Sequence, residues 1–219
     1  MIKQTIQLFA LPLGAQLAPS EWDAFLKALP CEVQRKVQQY KHWQDQQRAL
    51  LGSTLIRWAL LPYIDDVLLH LAHNELGRPY IAGHPHWQGD FNLSHSGGDW
   101  IVLAVTTIGR VGIDVEEIKP VSEDMMIYAL SETERQLVSH QPLHVFYEFW
   151  TLKEALFKTG LLPILSPHLL DTTNIKKTRK DLFTQLLYLD QQHPVTVCWS
   201  NENSKIITTI LNKEQLLQL

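Results

Sequence analysis

Two carboxylates two residues apart on an extended segment are the first feature that suggests chemistry. Val111-Gly-Ile-Asp-Val-Glu116 alternates cleanly, so Val111, Ile113 and Val115 point one way and Gly112, Asp114 and Glu116 the other. The bases of Asp114 and Glu116 then stand roughly 6–7 Å apart, close enough for both side chains to converge on one cation. Hard oxygen donors suit Mg²⁺, which takes a few carboxylates and keeps positions open for water and substrate phosphates. The same pair also reads as the solvated outer face of a strand. Farther along, Glu154 and Lys158 stand four apart and share one face of a helix. As a plain i,i+4 salt bridge they would contribute only about 0.2–0.5 kcal/mol. Trp150, Leu152, Leu156 and Phe157 surround them, however, and a partly buried carboxylate calls for a partner such as a metal. Lys153 adds a second cation one position before Glu154.

A third group is Asn92-Leu-Ser-His-Ser-Gly-Gly98, which gathers hydroxyls, an imidazole and backbone N–H groups in one tight turn. Phosphate oxygens favour that mixture, since glycine lets the backbone approach closely. Ser94 and His95 also raise hydrolysis as an alternative. Neighbours on one strand diverge, and the chain has no G-x-S-x-G elbow, so a nucleophile–base pair is not built there. For His95 a packing role and a phosphate contact both stay open. His84-Pro-His86 has no second metal-ligating cluster beside it and reads as surface or packing, although histidines number 10.

These residues need a scaffold, and 219 residues suffice for one large domain or two small ones sharing a core. A net charge of −4 argues against sequence-independent nucleic-acid binding, while leaving room for a local basic pocket. Cys31 and Cys198 lie far apart and form no CxxC pattern, which argues against a disulfide framework or a zinc site. Gln4 and Gln7 interrupt the first apolar run, so no leader is expected, and no stretch is long enough to span a membrane. The cytoplasm is the expected location.

The elements follow from periodicity. Ile2, Thr5 and Leu8 to Leu11 read as a strand, and Ser20 opens a helix with Asp23 in a capping-box variant. Trp22, Phe25, Leu26 and Leu29 form its apolar face, and Pro30 closes it. A glutamine-rich polar stretch from Val33 leads into a strong helix from about Asp45 to Leu61, ended by Pro62. Glu75-Leu-Gly-Arg-Pro79 is turn chemistry, followed by strands up to Glu116 with a hairpin at Gly109. In the second half, Ser131 and Glu134 make a capping box, and a long helix from about His144 to Thr159 stops at Gly160. Val195 to Trp199 and Lys205 to Leu211 are expected to form a hairpin joined by Asn201-Glu-Asn-Ser204.

Taken together, Gly77-Arg-Pro79, Phe91-Asn-Leu-Ser-His-Ser-Gly97, Val111-Gly-Ile-Asp-Val-Glu116 and Phe149-Trp-Thr-Leu-Lys-Glu-Ala155 with Lys158 resemble the 4′-phosphopantetheinyl transferase superfamily, in its larger, Sfp-like branch. The resemblance runs from about Lys36 to Gly160, with the motifs in the family's order and at similar spacing. It implies a pseudo-twofold α+β fold, in which each half is a small antiparallel sheet packed on a long helix. Residues 1–106 would form the adenosine and 3′-phosphate side of a coenzyme A cleft, and residues 107–219 the magnesium and pyrophosphate side.

The resemblance further implies Mg²⁺ on Asp114, Glu116 and Glu154, with Lys158 at the pyrophosphate. Lys36, Arg48, Ser94 and His95 would lie near the 3′-phosphate, and Gly77, Arg78 and Pro79 beside the adenine. Val33 stands where the family often has another 3′-phosphate lysine, with Arg35 close by. The implied activity is transfer of 4′-phosphopantetheine from coenzyme A to a serine of an apo acyl or peptidyl carrier protein, with Glu154 as base. A coenzyme A binding module without activity and a magnesium-dependent phosphohydrolase are the alternatives. A monomer is expected, with no nucleic acid or membrane partner. Met125, Met126 and Tyr128 read either as a carrier-docking patch or as core.

Overall fold

The computed structural model describes residues 4–97, 99–202 and 204–218. Ile2, Gly98 and Asn203, each assigned above to a strand or turn, lie outside the described residues. β1 (Gln4–Pro12) leads into α1 (Pro19–Lys27), α2 (Cys31–Gln38) and α3 (Trp43–Leu60). There follow β2 (Leu71–His73), β3 (Pro79–Ile81), β4 (Asp90–Ser96), β5 (Trp100–Thr106) and β6 (Val111–Val115). The second half holds α4 (Glu123–Ala129), α5 (Glu132–Val138), α6 (Leu143–Lys158) and α7 (Thr172–Thr178). The chain then runs through β7 (Phe183–Tyr188), β8 (Pro194–Trp199), β9 (Ser204–Ile210) and α8 (Lys213–Leu216). The fold is α+β.

Two sheets stack between two long helices. The first sheet, in the order β4-β5-β1-β9, is antiparallel except that β9 lies parallel to β1. The second, β6-β8-β7, is antiparallel throughout. Strand periodicity sorts the apolar residues into layers. Ile6, Leu8, Ala10, Val102 and Ala104 of the first sheet meet Val111, Ile113, Val115, Val195 and Val197 of the second. On the opposite face Phe9, Leu11, Leu103 and Val105 pack against Leu50, Leu51 and Leu55 of α3. Beyond the second sheet, Cys198 packs on Leu152, Ala155 and Leu156 of α6. Each fully buried Leu, Ile or Val contributes about 1.5–3 kcal/mol relative to exposure, so strands buried on both faces make a stiff support for whatever projects from them.

The long helices, the Ser131–Glu134 capping box and the stop at Gly160 (φ 68°) agree with the sequence reading. Several local expectations do not. The first helix begins at Pro19, not Ser20, because proline's fixed φ suits the first helical position; the Glu21 carboxylate, not Asp23, accepts the Ala18 N–H at 2.8 Å. The polar stretch after Pro30 is itself a helix, α2, which buries Val37. Gly109 does adopt positive φ (81°), yet it carries the chain from one sheet to the other and makes no hairpin. Nor do β8 and β9 pair. All six residues of β8 are buried, so it takes the centre of the second sheet, while β9, mostly exposed, adds to the open edge of β1.

Candidate active site

α6 lies unusually close to β6, and Gly112 permits it. A Cβ there would sit 2.1 Å from the Ala155 carbonyl oxygen and 2.8 Å from the Thr159 nitrogen. That approach brings Asp114, the next residue on the same strand face, against Lys158 in the last turn of α6. The Lys158 ammonium donates to Asp114 Oδ1 at 2.6 Å and to Ser94 Oγ at 3.2 Å, and the Ser94 hydroxyl donates to Asp114 Oδ1 at 2.8 Å. Glu154 Oε2 lies 3.8 Å from the same ammonium. Trp150, a further turn back on α6, donates from its indole Nε1 to Glu116 Oε1 at 3.1 Å. The structure therefore gathers Asp114, Glu116, Glu154, Lys158 and Ser94. Sequence reasoning missed Trp150 as a participant, although its i,i+4,i+8 spacing with Glu154 and Lys158 carried the signal.

Burial raises the Asp114 carboxyl despite the Lys158 charge beside it. Burial and then the Asp114 charge push Glu116 up to about 7. Glu154 is raised by burial, with Asp114 adding repulsion against the pull of Lys158. Burial would lower Lys158, but Asp114 and Glu154 outweigh it and keep the ammonium charged. One ammonium thus contacts two of the three carboxylates, and Asp114 Oδ2 is buried with no hydrogen-bond partner among the described residues. Among the described residues no three His, Cys, Asp or Glu side chains already stand in a metal-holding arrangement. Lys158 bridges Asp114 and Glu154 instead. By their chemistry the donors do fit Mg²⁺: hard oxygens, one of them orphaned, and like charges that a cation would relieve.

Basic groups stand on the β4 side of this cluster. Arg48 of α3 is ion-paired to Asp45 at 2.7 Å and donates to the Gly97 carbonyl at 2.9 Å. His95 is exposed on one side, yet partial desolvation, then the charges of Arg48 and Lys158, lower its pKa below the ordinary histidine range. Lys36 is exposed in the last turn of α2, and Val33 packs against the first core. Gly77 turns with φ 76° between β2 and β3, donating its N–H to the Asn74 carbonyl at 2.9 Å. Arg78 points inward, and Pro79 begins β3. Lys153 is not a second cation at the site. It is fully buried and pairs with Glu134 at 2.6 Å, because adjacent helix positions project in different directions. Met125 and Met126 pack partly buried against the α4–α6 core, while Tyr128 is exposed and lies tilted against the His168 ring.

Both halves of the chain resemble known proteins. Residues 110–210 match the 4′-phosphopantetheinyl transferase superfamily, and residues 16–108 match the N-terminal 4′-phosphopantetheinyl transferase family. The chain belongs to the 4′-phosphopantetheinyl transferase superfamily, in its Sfp-like branch, and is a phosphopantetheinyl transferase. A 4′-phosphopantetheinyl transferase of Bacillus subtilis is 30% identical over 209 residues, covering 88% of this chain and 92% of its own. The Bacillus pumilus enzyme psf-1 is 32% identical over 165 residues, 70% of this chain and 68% of its own. Sfp of Bacillus subtilis strain 168 is 27% identical over 159 residues, 70% and 69% of the two chains. Among the described residues no helix is long and apolar enough to cross a membrane.

Proposed function

We propose that the chain transfers the 4′-phosphopantetheine of coenzyme A to a serine hydroxyl of an apo acyl or peptidyl carrier protein. The observation that carries this is the buried knot of Asp114, Lys158 and Ser94, flanked by Glu116 and Glu154 where β6 meets α6. In the reaction a bond forms between the serine oxygen and the β-phosphorus. The bond from that phosphorus to the bridging oxygen breaks, and adenosine 3′,5′-bisphosphate leaves. Bound Mg²⁺, on Asp114, Glu116 and Glu154, would supply charge neutralisation at the pyrophosphate.

The chain's own residues do the rest. Lys158 brings a second positive charge to the leaving group. Glu154, whose pKa is raised and whose side chain is only partly buried, accepts the serine proton. Lys36, Arg48 and His95 face the 3′-phosphate, while Ser94 belongs to the Asp114–Lys158 knot although the resemblance had set it near that phosphate. The backbone of the Gly77-Arg78-Pro79 turn borders the adenine while the Arg78 side chain points inward. Coenzyme A lies between residues 1–106 and 107–219, read as pseudo-twofold halves. A sheet backed by a long helix in each half supports that reading, although β9 crosses back to the first sheet. A monomer follows from having every group on one chain.

Intact-mass spectrometry tests the reading. An apo carrier incubated with the protein, coenzyme A and Mg²⁺ should gain roughly 340 Da, and EDTA should abolish the gain. No gain with several unrelated carriers would overturn it.

A further inference from the structure

β4 is one edge strand of the first sheet and β6 one edge strand of the second. Two such edges, each with bare N–H and C=O groups, meet inside the protein, where unpaired backbone is costly. They do not pair through their backbones. Alternate side chains of β4 span the junction instead: Asp90 Oδ2 accepts the Val111 N–H at 2.9 Å, and Asn92 Oδ1 accepts the Ile113 N–H at 3.0 Å. The third rung is the Ser94 hydroxyl on Asp114 Oδ1. The reactive cluster is therefore the end of a polar seam that joins the two sheets.

Arg78 closes the carbonyl side of that seam. Its Nη2 donates to Asp90 Oδ2 at 2.6 Å, to the Val111 carbonyl at 3.0 Å and to the Phe91 carbonyl at 3.3 Å. Nε donates to the Lys158 carbonyl at 2.7 Å, and Nη1 to the Pro79 carbonyl at 3.2 Å. The side chain is 8% exposed and that of Asp90 4%. The outer Asp90 oxygen faces Arg110 at 3.7 Å. One planar guanidinium thus ties β3, β4, β6 and the end of α6 together, a geometry that a lysine ammonium does not reproduce. The carbonyl it holds belongs to Lys158, the residue whose ammonium reaches Asp114, and it is one of the carbonyls that a helix end leaves unpaired.

We propose that Arg78 is a positioning residue for the transfer reaction, setting the Lys158 ammonium against Asp114 and Ser94 through the Asp90–Asn92 seam. This rests on the transferase reading above and adds a residue whose side chain acts through another. A shift of ~1 Å at such a site can cost ~100-fold in rate.

The test is a pair of backgrounds assayed by single turnover with excess enzyme. Arg78→Lys should lower the rate at saturating coenzyme A by about 10- to 100-fold with KM for coenzyme A changed less than about threefold. In a Lys158→Ala background the same substitution should cost less than about twofold, because the group it positions is gone. An equal loss in both backgrounds would mean that Arg78 only stabilises the fold, and would overturn the proposal. If Arg78→Lys does not fold by circular dichroism, Asn92→Ala removes one rung and is run through the same two backgrounds: a loss confined to the Lys158 background supports the proposal, and an equal loss in both overturns it. Amide hydrogen exchange supplies an arm independent of activity: Asn92→Ala should raise exchange at Ile113 while Gly112, on the side of β6 that pairs with β8, stays protected. Should the wild type modify no carrier, the functional reading fails by itself, and unchanged protection at Ile113 would sink the seam separately.

Discussion

Lys153→Met should be among the most damaging single substitutions outside the reactive cluster. Lys153 and Glu134 are both fully buried, with Nζ 2.6 Å from Oε2. The same Glu134 oxygen accepts the Ser131 N–H at 2.8 Å, and Oε1 accepts the Thr172 N–H at 2.8 Å and its hydroxyl at 2.7 Å. Burial alone would raise the Glu134 pKa, but the Lys153 ammonium and these hydrogen bonds outweigh it and hold the pKa below normal. Methionine preserves the volume and strands the carboxylate. Breaking a buried pair by removing one partner costs about 3–5 kcal/mol. For a protein of this size that lowers Tm by roughly 6–20 °C. The pH dependence has a definite sign. In the wild type the depressed pKa contributes stability above the unfolded value, near about 4.3, that is lost as pH falls through the lower folded value. In Lys153→Met the Glu134 pKa should rise instead, so protonation relieves the penalty, and the Tm gap should be wider at pH 8 than at pH 5. Lys153→Met/Glu134→Gln should recover part of the loss, since the amide is neutral and keeps an acceptor. Differential scanning calorimetry at the two pH values decides it. A fall under ~3 °C, or a gap independent of pH, would refute the buried-charge reasoning.

Other outcomes follow from the site. Gly112→Ala places a methyl group 2.1 Å from the Ala155 carbonyl oxygen, so α6 must lift from β6. Expect a loss of at least about 3 kcal/mol in urea unfolding together with lost transfer; a stable, active variant would show that the close contact is unimportant. Asp114→Ala and Glu154→Ala should fold, because Lys158 is 26% exposed and water can solvate it, yet lose transfer by about 10³-fold or more in the carrier mass assay. Unfolding of both by circular dichroism would make them structural residues. Lys36→Ala should raise KM for coenzyme A about 5- to 20-fold with kcat nearly unchanged, the effect of losing one charged contact to a phosphate; an unchanged KM would remove Lys36 from the 3′-phosphate.

Much of this was legible in the sequence where one period governs a segment. Alternation along Val111–Glu116 fixed which face carries Asp114, and helical spacing put Glu154 and Lys158 together. Partner choice between strands was not legible. β8 and β9 sit next to each other in sequence with a turn-like link, which reads as a hairpin, but the complete burial of β8 depends on α6 and β6, neither local to it. The same applies to Lys153, whose partner Glu134 is 19 residues away on α5, so that a charged residue in a reactive motif proved to be core.

The polar seam shows why such partners escape a local reading and why they matter to the chemistry. Asp90 and Asn92 look like polar strand residues that solvent would satisfy, and only the docking of β6 turns them into backbone acceptors. The apolar layer alone would join the two sheets with little preference for register, since apolar contact is not directional. Hydrogen bonds from Asp90 to Val111 and from Asn92 to Ile113 admit one register, and in that register Ser94 falls on Asp114. The strength of the junction thus comes from the apolar layer and its precision from the seam, so weakening the layer should cost stability first and loosening the seam should cost rate first.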